Sequence, residues 1–278
     1  MSQLDFEDFD NYLLKQNGRI IHQIWFGTIP NKRAARKAYE KMKFYRDSWK
    51  IHNPTWCHIE WNKDMCKNLI AKIFPEHAEM FGRYKYEIQR CDAIRYLILY
   101  RYGGLYADMD YYCNRPFDEA LKKFNGDIYI VETPNTIPGV NATQVSNSLM
   151  YSKPKHPFWK ILMIELEKNQ VMPVYYTKHL TVMFTTGPSI VNRVYVKNKL
   201  RFRLKSFPSK LFHPYGITSE LRTTKLPSTI YAAHISKSSW ATKDTVFLNT
   251  IVSEWPALLL VLTIAIVPLL YYLLRIGR

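Results

Sequence analysis

The sequence predicts an α/β fold, a mainly parallel sheet with helices on its faces, joined to one C-terminal transmembrane helix. Three observations carry this. Short apolar runs alternate with longer amphipathic ones between residues 20 and 132. The most regular amphipathic run stops at Gly103-Gly104 and turns into a short apolar run that ends in Asp108-Met109-Asp110. Residues 256–274 are nineteen positions without a charge, enough at about 1.5 Å per residue to cross the hydrocarbon of a bilayer.

Taken in order, residues 20–26 (I-I-H-Q-I-W-F) read as a first strand, with His22 a hydrogen-bonded core histidine, and residues 27–30 as the loop after it. Residues 32–49 form a basic helix that ends at His52-Asn53-Pro54; residues 56–61 are a second strand and 64–74 a second helix. Ile88, Cys91, Ile94 and Ile98 recur at three-to-four residue spacing, which buries one face of a helix. Gly103-Gly104 ends it, and Leu105-Tyr106-Ala107 is a short buried strand. Residues 111–114 continue extended, 117–124 are helical and 127–132 are another buried strand. Residues 141–157 are polar and irregular, a loop near the site. Helices follow at 157–168 and 188–199, the second started by Gly187-Pro188. Residues 229–234 are the last strand, and a polar loop runs from Ser236 to Trp240. The division is therefore one domain over 1–245, a linker over 246–255, the membrane helix over 256–274 and a basic tail over 275–278.

Composition limits the function classes. A hydrophobic content of 47% excludes wholesale disorder, and 15% aromatic residues supply stacking surfaces as well as core. Lys and Arg number 39 against 23 Asp and Glu, a net charge of +16 that suits nucleic acid, an anionic membrane or a phosphorylated substrate. No nucleic-acid-binding motif is present, so nucleic acid is not an expected partner. Cys57, Cys66, Cys91 and Cys113 show neither Cys-x-x-Cys nor metal-ligand spacing, which points to reduced thiols.

The chemistry gathers in residues 91–110. Asp92 and Arg95, three apart on a helix, present a carboxylate and a guanidinium together; a simple ion pair is the plain alternative. Asp108 and Asp110 flank an apolar residue, so an extended backbone points both carboxylates the same way. Two hard oxygen ligands suit Mg2+ or Mn2+ on a diphosphate.

The whole string, Asp-x-x-Arg, a helix, Gly-Gly-x-Tyr and Asp-x-Asp, resembles the DXD signature of glycosyltransferase family 32, and more distantly that of the large clostridial glucosylating toxins. Residues 19–27 are similar to the family's first strand, and Thr186-Gly187-Pro188 and residues 234–240 to its later landmarks. The likeness extends to the family's inositol phosphoceramide and initiating mannosyltransferases. Cys91 stands where Ser or Ala is usual, a tolerable change because a thiol is small and apolar.

The resemblance implies a GT-A type, Rossmann-like domain and a metal-dependent hexosyltransferase that retains anomeric configuration, with mannose the favoured sugar. Asp108 and Asp110 would hold Mn2+ or Mg2+, with His234 completing the metal site or donating to a diphosphate oxygen. Asp92 and Arg95 would hold sugar hydroxyls, so the catalytic set is Asp92, Arg95, Asp108 and Asp110. Contacts to the donor fall to Trp25, Asp92, Arg95, Gly104, Tyr106, Asp108, His234, Ser239 and Trp240. Trp25 either stacks the nucleotide base or belongs to the core. Thr186-Gly187 either lets backbone approach the donor or caps a helix. No covalent nucleophile stands out, which favours same-face displacement through an oxocarbenium-like state.

The expected donor is a nucleotide sugar, GDP-mannose or a UDP-hexose. The membrane helix favours a membrane lipid acceptor such as inositol phosphoceramide; a protein or glycan acceptor is the alternative, and a membrane-tethered basic adaptor on a degenerate enzyme fold is the reading from another class. A membrane protein is a conceivable regulatory partner. The chain is expected in an endoplasmic reticulum or Golgi-type membrane. An acidic N-terminus without a signal peptide favours a cytosolic catalytic domain, against which stand Arg275 and Arg278; the Asn141 sequon matters only in a lumen.

Overall fold

A computed structural model describes residues 3–27, 31–134, 144–173, 175–215 and 226–234. A first helix, α1 (Gln3–Lys15), precedes strand β1 (Ile20–Ile24), whose five residues are all buried. Where a single basic helix was expected, two stand end to end: α2 (Lys32–Lys41) and α3 (Lys43–His52), which meet at Met42. Then come β2 (Cys57–Trp61), α4 (Lys63–Ile73) and the short α5 (Ala78–Arg83). The long α6 (Glu87–Tyr102) runs into β3 (Gly104–Ala107) through Gly103, which adopts φ 66°. A Cβ on Gly104, at φ 90°, would lie 2.4 Å from the Ile20 carbonyl oxygen, so only glycine lets β3 start this close to β1.

The chain continues through β4 (Tyr111–Cys113), α7 (Phe117–Phe124), β5 (Ile128–Glu132) and β6 (Val145–Ser152). Helices α8 (Pro157–Lys168), α9 (Lys178–Thr185) and α10 (Pro188–Asn198) follow, then β7 (Lys205–Phe207), α11 (Ser209–Phe212) and β8 (Ala232–His234). The main sheet has the order β2-β1-β3-β6-β5-β7. β1 pairs in parallel with β2 and β3, and β5 in parallel with β7, while β6 runs antiparallel to both of its neighbours. The sheet is thus mainly parallel, as the alternation of strand and helix predicts.

β6 corrects the expected polar loop at 141–157. Ser146, Asn147 and Ser148 are buried, because their polar groups bond inside the protein: Ser146 Oγ to Ser148 Oγ at 3.0 Å, and the Asn147 amide to the interior carboxylate of Asp92 at 3.2 Å. Polarity there marks an internal network rather than solvent. The last strand is also shorter than residues 229–234, and it pairs with β4 in a separate two-stranded sheet.

Two apolar cores cover the two faces of the sheet. One joins α1, α4, α6, α8 and α10 around Trp61, Tyr96, Trp159 and Ile98. The other joins α3, α7 and α11 around Trp49, Phe117, Tyr129 and Phe207. Each such fully buried side chain contributes about 1.5–3 kcal/mol. His22 takes its expected place inside: Trp61 Nε1 donates to its Nδ1 at 3.1 Å, leaving Nε2 to donate to the Gly103 carbonyl at 2.9 Å. Burial pushes this imidazole down to about 4. All four cysteines are free, and Cys66, Cys91 and Cys113 have thiols pushed up by burial.

No helix among the described residues is long and apolar enough to cross a membrane. Residues 256–274 lie outside the described residues, as do Ser239, Trp240 and the Asn141 sequon.

Candidate active site

Because β1 and β3 are parallel, their carboxyl ends share one edge of the sheet, where doubly wound folds bind ligands. Asp108 is the first residue beyond β3, and its N–H donates to the Ser148 carbonyl at 2.9 Å. The backbone turns here, with Tyr111 N–H returning to the Asp108 carbonyl at 3.1 Å, and enters β4. In the β4–β8 ladder Tyr111 faces His234. That register brings a side chain from far down the chain onto the Asp-x-Asp turn. His234 Nε2 lies 3.1 Å from Asp110 Oδ1 and 4.0 Å from Asp108 Oδ2. One ligand atom from each of Asp108, Asp110 and His234 falls within 4.8 Å of the others. Two carboxylates and an imidazole fit Mn2+ or Mg2+, so the three residues expected as ligands from the sequence converge in space.

The electrostatics divide the two carboxylates. Asp108 is held above the ordinary carboxylate range by burial and by the neighbouring Asp110, against the pull of Arg95. Burial pushes Asp110 the same way, but the adjacent His234 outweighs it and holds Asp110 low. His234 is raised in turn: burial lowers it, and the Asp110 charge and hydrogen bond overcome that.

Behind this pair is a fully packed polar layer. Tyr106 donates its hydroxyl to Asp108 Oδ1 at 2.6 Å, so it orients the carboxylate rather than facing a ligand. Arg95 gives Nη1 to the same oxygen at 3.1 Å and to the Asn147 carbonyl at 2.9 Å, while Nη2 lies 2.7 Å from Asp92 Oδ1. The guanidinium stacks 4.6 Å over the Tyr106 ring. Asp92 also accepts from the Asn147 amide and, at 3.2 Å, from the Thr186 hydroxyl. Burial, opposed by Arg95, pushes it up to about 7. Asp92 and Arg95 are 5% and 4% exposed, so in this structure they face the interior network more than open space.

Trp25 stands at the end of β1, half-buried, with its ring 5.7 Å from that of Tyr39. Gly104 sits at the opposite end of β3 from Asp108, where it serves the approach to β1 and not the carboxyl-end site. Gly187 is the N-cap of α10, the second of the two roles open to it from sequence.

Three participants escape the sequence reading. The Tyr96 hydroxyl accepts from Asn147 at 2.8 Å and donates to the Thr186 carbonyl at 2.6 Å; its spacing of four from Asp92 on one helix was a usable signal. Tyr111 packs its ring 4.8 Å from that of His234. His213 packs edge-on against His234 at 4.9 Å, and its buried Nδ1 has no hydrogen-bond partner among the described residues. Nothing in an isolated His-Pro pair announces that role.

Comparison with known proteins agrees with this geometry. Residues 39–126 match the family described as "Glycosyltransferase sugar-binding region containing DXD motif". Inositol phosphoceramide mannosyltransferase 2 of Schizosaccharomyces pombe is 32% identical over 227 residues, which cover 81% of this chain and 59% of that protein. Mannosyl phosphorylinositol ceramide synthase CSH1 of Saccharomyces cerevisiae is 31% identical, over 72% of this chain and 48% of its own length. An uncharacterized glycosyltransferase, L373, of Acanthamoeba polyphaga mimivirus is 28% identical, over 80% of this chain and 83% of its own. The chain thus spans about half the length of the two yeast relatives.

Proposed function

The chain belongs to the glycosyltransferases whose sugar-binding region contains a DXD motif, family 32, and we propose that it transfers mannose from a nucleotide sugar to a membrane lipid bearing an inositol phosphate, with retention of anomeric configuration. The observation that carries the reading is the convergence of Asp108, Asp110 and His234 at the carboxyl end of the sheet. The identity to two inositol phosphoceramide-modifying enzymes supports the sugar and the acceptor.

A bound Mn2+ or Mg2+ supplies neutralisation of the charge that develops on the leaving nucleoside diphosphate. The chain's own groups do the rest. Tyr106 and Arg95 fix the Asp108 carboxylate, so its second oxygen Oδ2 is the one turned toward His234. Asp92 is held on both oxygens by Arg95, Asn147 and Thr186, which suits a group that must meet a sugar hydroxyl without reorganising. Trp25 offers a ring at the carboxyl end of β1 for the base. No covalent nucleophile stands out in the sequence, which favours same-face displacement over a covalent intermediate.

The test is a panel of nucleotide sugars incubated with the full chain, Mn2+ and vesicles containing inositol phosphoceramide, read as labelled glycolipid. Mannosylated lipid from GDP-mannose is the expected product. Donor turnover without lipid product refutes the acceptor, and an absence of any donor turnover with Mn2+ refutes the enzyme.

A further inference from the structure

We propose that the cationic face of α2 docks this domain on an anionic lipid bilayer, beside the candidate metal site. α2 is the sequence K-R-A-A-R-K-A-Y-E-K, capped by Asn31, whose side chain accepts from Ala34 N–H at 3.1 Å. It buries no residue. Lys32, Arg33, Arg36, Lys37 and Lys41 are all exposed, and at about 100° per residue they spread over half the helix circumference. Ala35, Ala38 and Tyr39 face the protein.

An exposed cationic face is ordinarily balanced by nearby acids. On α3 that balance exists: Lys43 pairs with Asp47 at 2.6 Å, and Arg46 with Glu60 at 2.8 Å. On α2 none of the described residues forms an ion pair with the five cations. Like charges three and four apart oppose the helix, and the one acid on this face, Glu40, forms no ion pair among the described residues. A face that accumulates this repulsion and contributes no burial is explained by an anionic partner outside the chain.

The form of the surface favours a bilayer. Each Lys or Arg near an anionic leaflet adds its own attraction, so a broad unstructured array of cations binds well without shape matching. Just past α2, Phe44 is 55% exposed and stacks on Tyr112 at 5.1 Å, 17° from parallel. An exposed apolar ring next to cations is the pairing found at membrane interfaces. Tyr112 is two residues beyond Asp110, and Trp25 packs on Tyr39, so the surface adjoins the carboxyl end of the sheet. The uncharged run at residues 256–274 gives the chain a second membrane signal, and stable attachment generally takes two. The docking explains how the site would meet a lipid acceptor and rests on the lipid reading for that purpose alone.

The test is hydrogen–deuterium exchange of the full chain in nanodiscs of phosphatidylcholine, with and without phosphatidylserine. Amides of residues 32–44 are expected to exchange at least about tenfold more slowly in the anionic discs, with the protection lost at high salt. The triple variant Arg33→Ala, Arg36→Ala, Lys37→Ala removes the protection; alanine favours helix and no α2 residue is buried, so the fold stands. Donor hydrolysis by the variant remains at the wild-type rate, which separates lost docking from lost catalysis. Equal exchange in both discs, or protection produced by GDP alone in neutral discs, overturns the docking; protection without lipid glycosylation leaves it standing and refutes the acceptor.

Discussion

Arg95 Nη1 lies 3.1 Å from Asp108 Oδ1, which ties a helix residue to the first carboxylate of the Asp-x-Asp turn while the same guanidinium holds Asp92. Lysine cannot reproduce that fork, because an ammonium is a point charge and cannot span two carboxylates in fixed geometry. Arg95→Lys is expected to lower kcat about 100-fold and to destabilise the domain by about 2 kcal/mol. Steady-state kinetics beside a urea titration checks both; wild-type turnover in this variant refutes the positioning role.

For the candidate metal ligands, Asp110→Asn and Asp108→Asn should each weaken Mn2+ binding more than about 100-fold while the melting temperature holds. Electron paramagnetic resonance of free Mn2+ reads the affinity without relying on turnover. Unchanged affinity in either variant removes that residue from the ligand set.

Tyr106→Phe leaves the ring stack under Arg95 but deletes the 2.6 Å bond to Asp108. A ligand released from its orienting partner typically costs 10–100-fold in metal affinity, about the range expected here. The same Mn2+ titration decides, and an affinity equal to wild type shows the hydroxyl to be dispensable.

His22 gives a pH dependence that belongs to the fold. Its pKa falls from 6.5 to about 4 on burial, so the folded state binds fewer protons than the unfolded chain. Its contribution to stability is intact above about pH 6.5 and declines as the pH falls toward 4, by about 3 kcal/mol in all. The groups packed on it are Trp61 and Tyr102, with Asp10 and Arg101 bonded behind Tyr102. Urea midpoints across this window should show the slope, and His22→Gln should flatten it; an unchanged slope assigns the protonation elsewhere.

Gly104 separates structure from catalysis. Gly104→Ala places a methyl 2.4 Å from the Ile20 carbonyl oxygen at φ 90°, and should destabilise the domain by about 3 kcal/mol or more. Gly82, on a helix with nothing beyond its own helix within 4 Å of a Cβ among the described residues, is the control: Gly82→Ala should raise stability by up to about 1 kcal/mol. Chemical denaturation of both variants checks the contrast.

The sequence by itself determined the alternation of strand and helix between β1 and β5, the α6–glycine–β3 turn and the Asp-x-Asp at its end, because these depend on local periodicity and on backbone angles that glycine allows. It also singled out His234 through a resemblance of motifs. Only the tertiary structure decided the rest. β6 was illegible because its Ser-Asn-Ser stretch is polar in composition and buried in fact; the partners that satisfy it, Asp92 above all, lie 55 positions away. Tyr106 and Asp92 read as groups that touch a ligand, and packing shows them spent first on Asp108, Asn147 and Thr186. His213 and Tyr111 brace His234 through rings that meet when β8 pairs with β4. Local sequence encodes which side chains exist and how the backbone turns, whereas hydrogen-bond satisfaction and ring contact depend on which distant segments fold against each other.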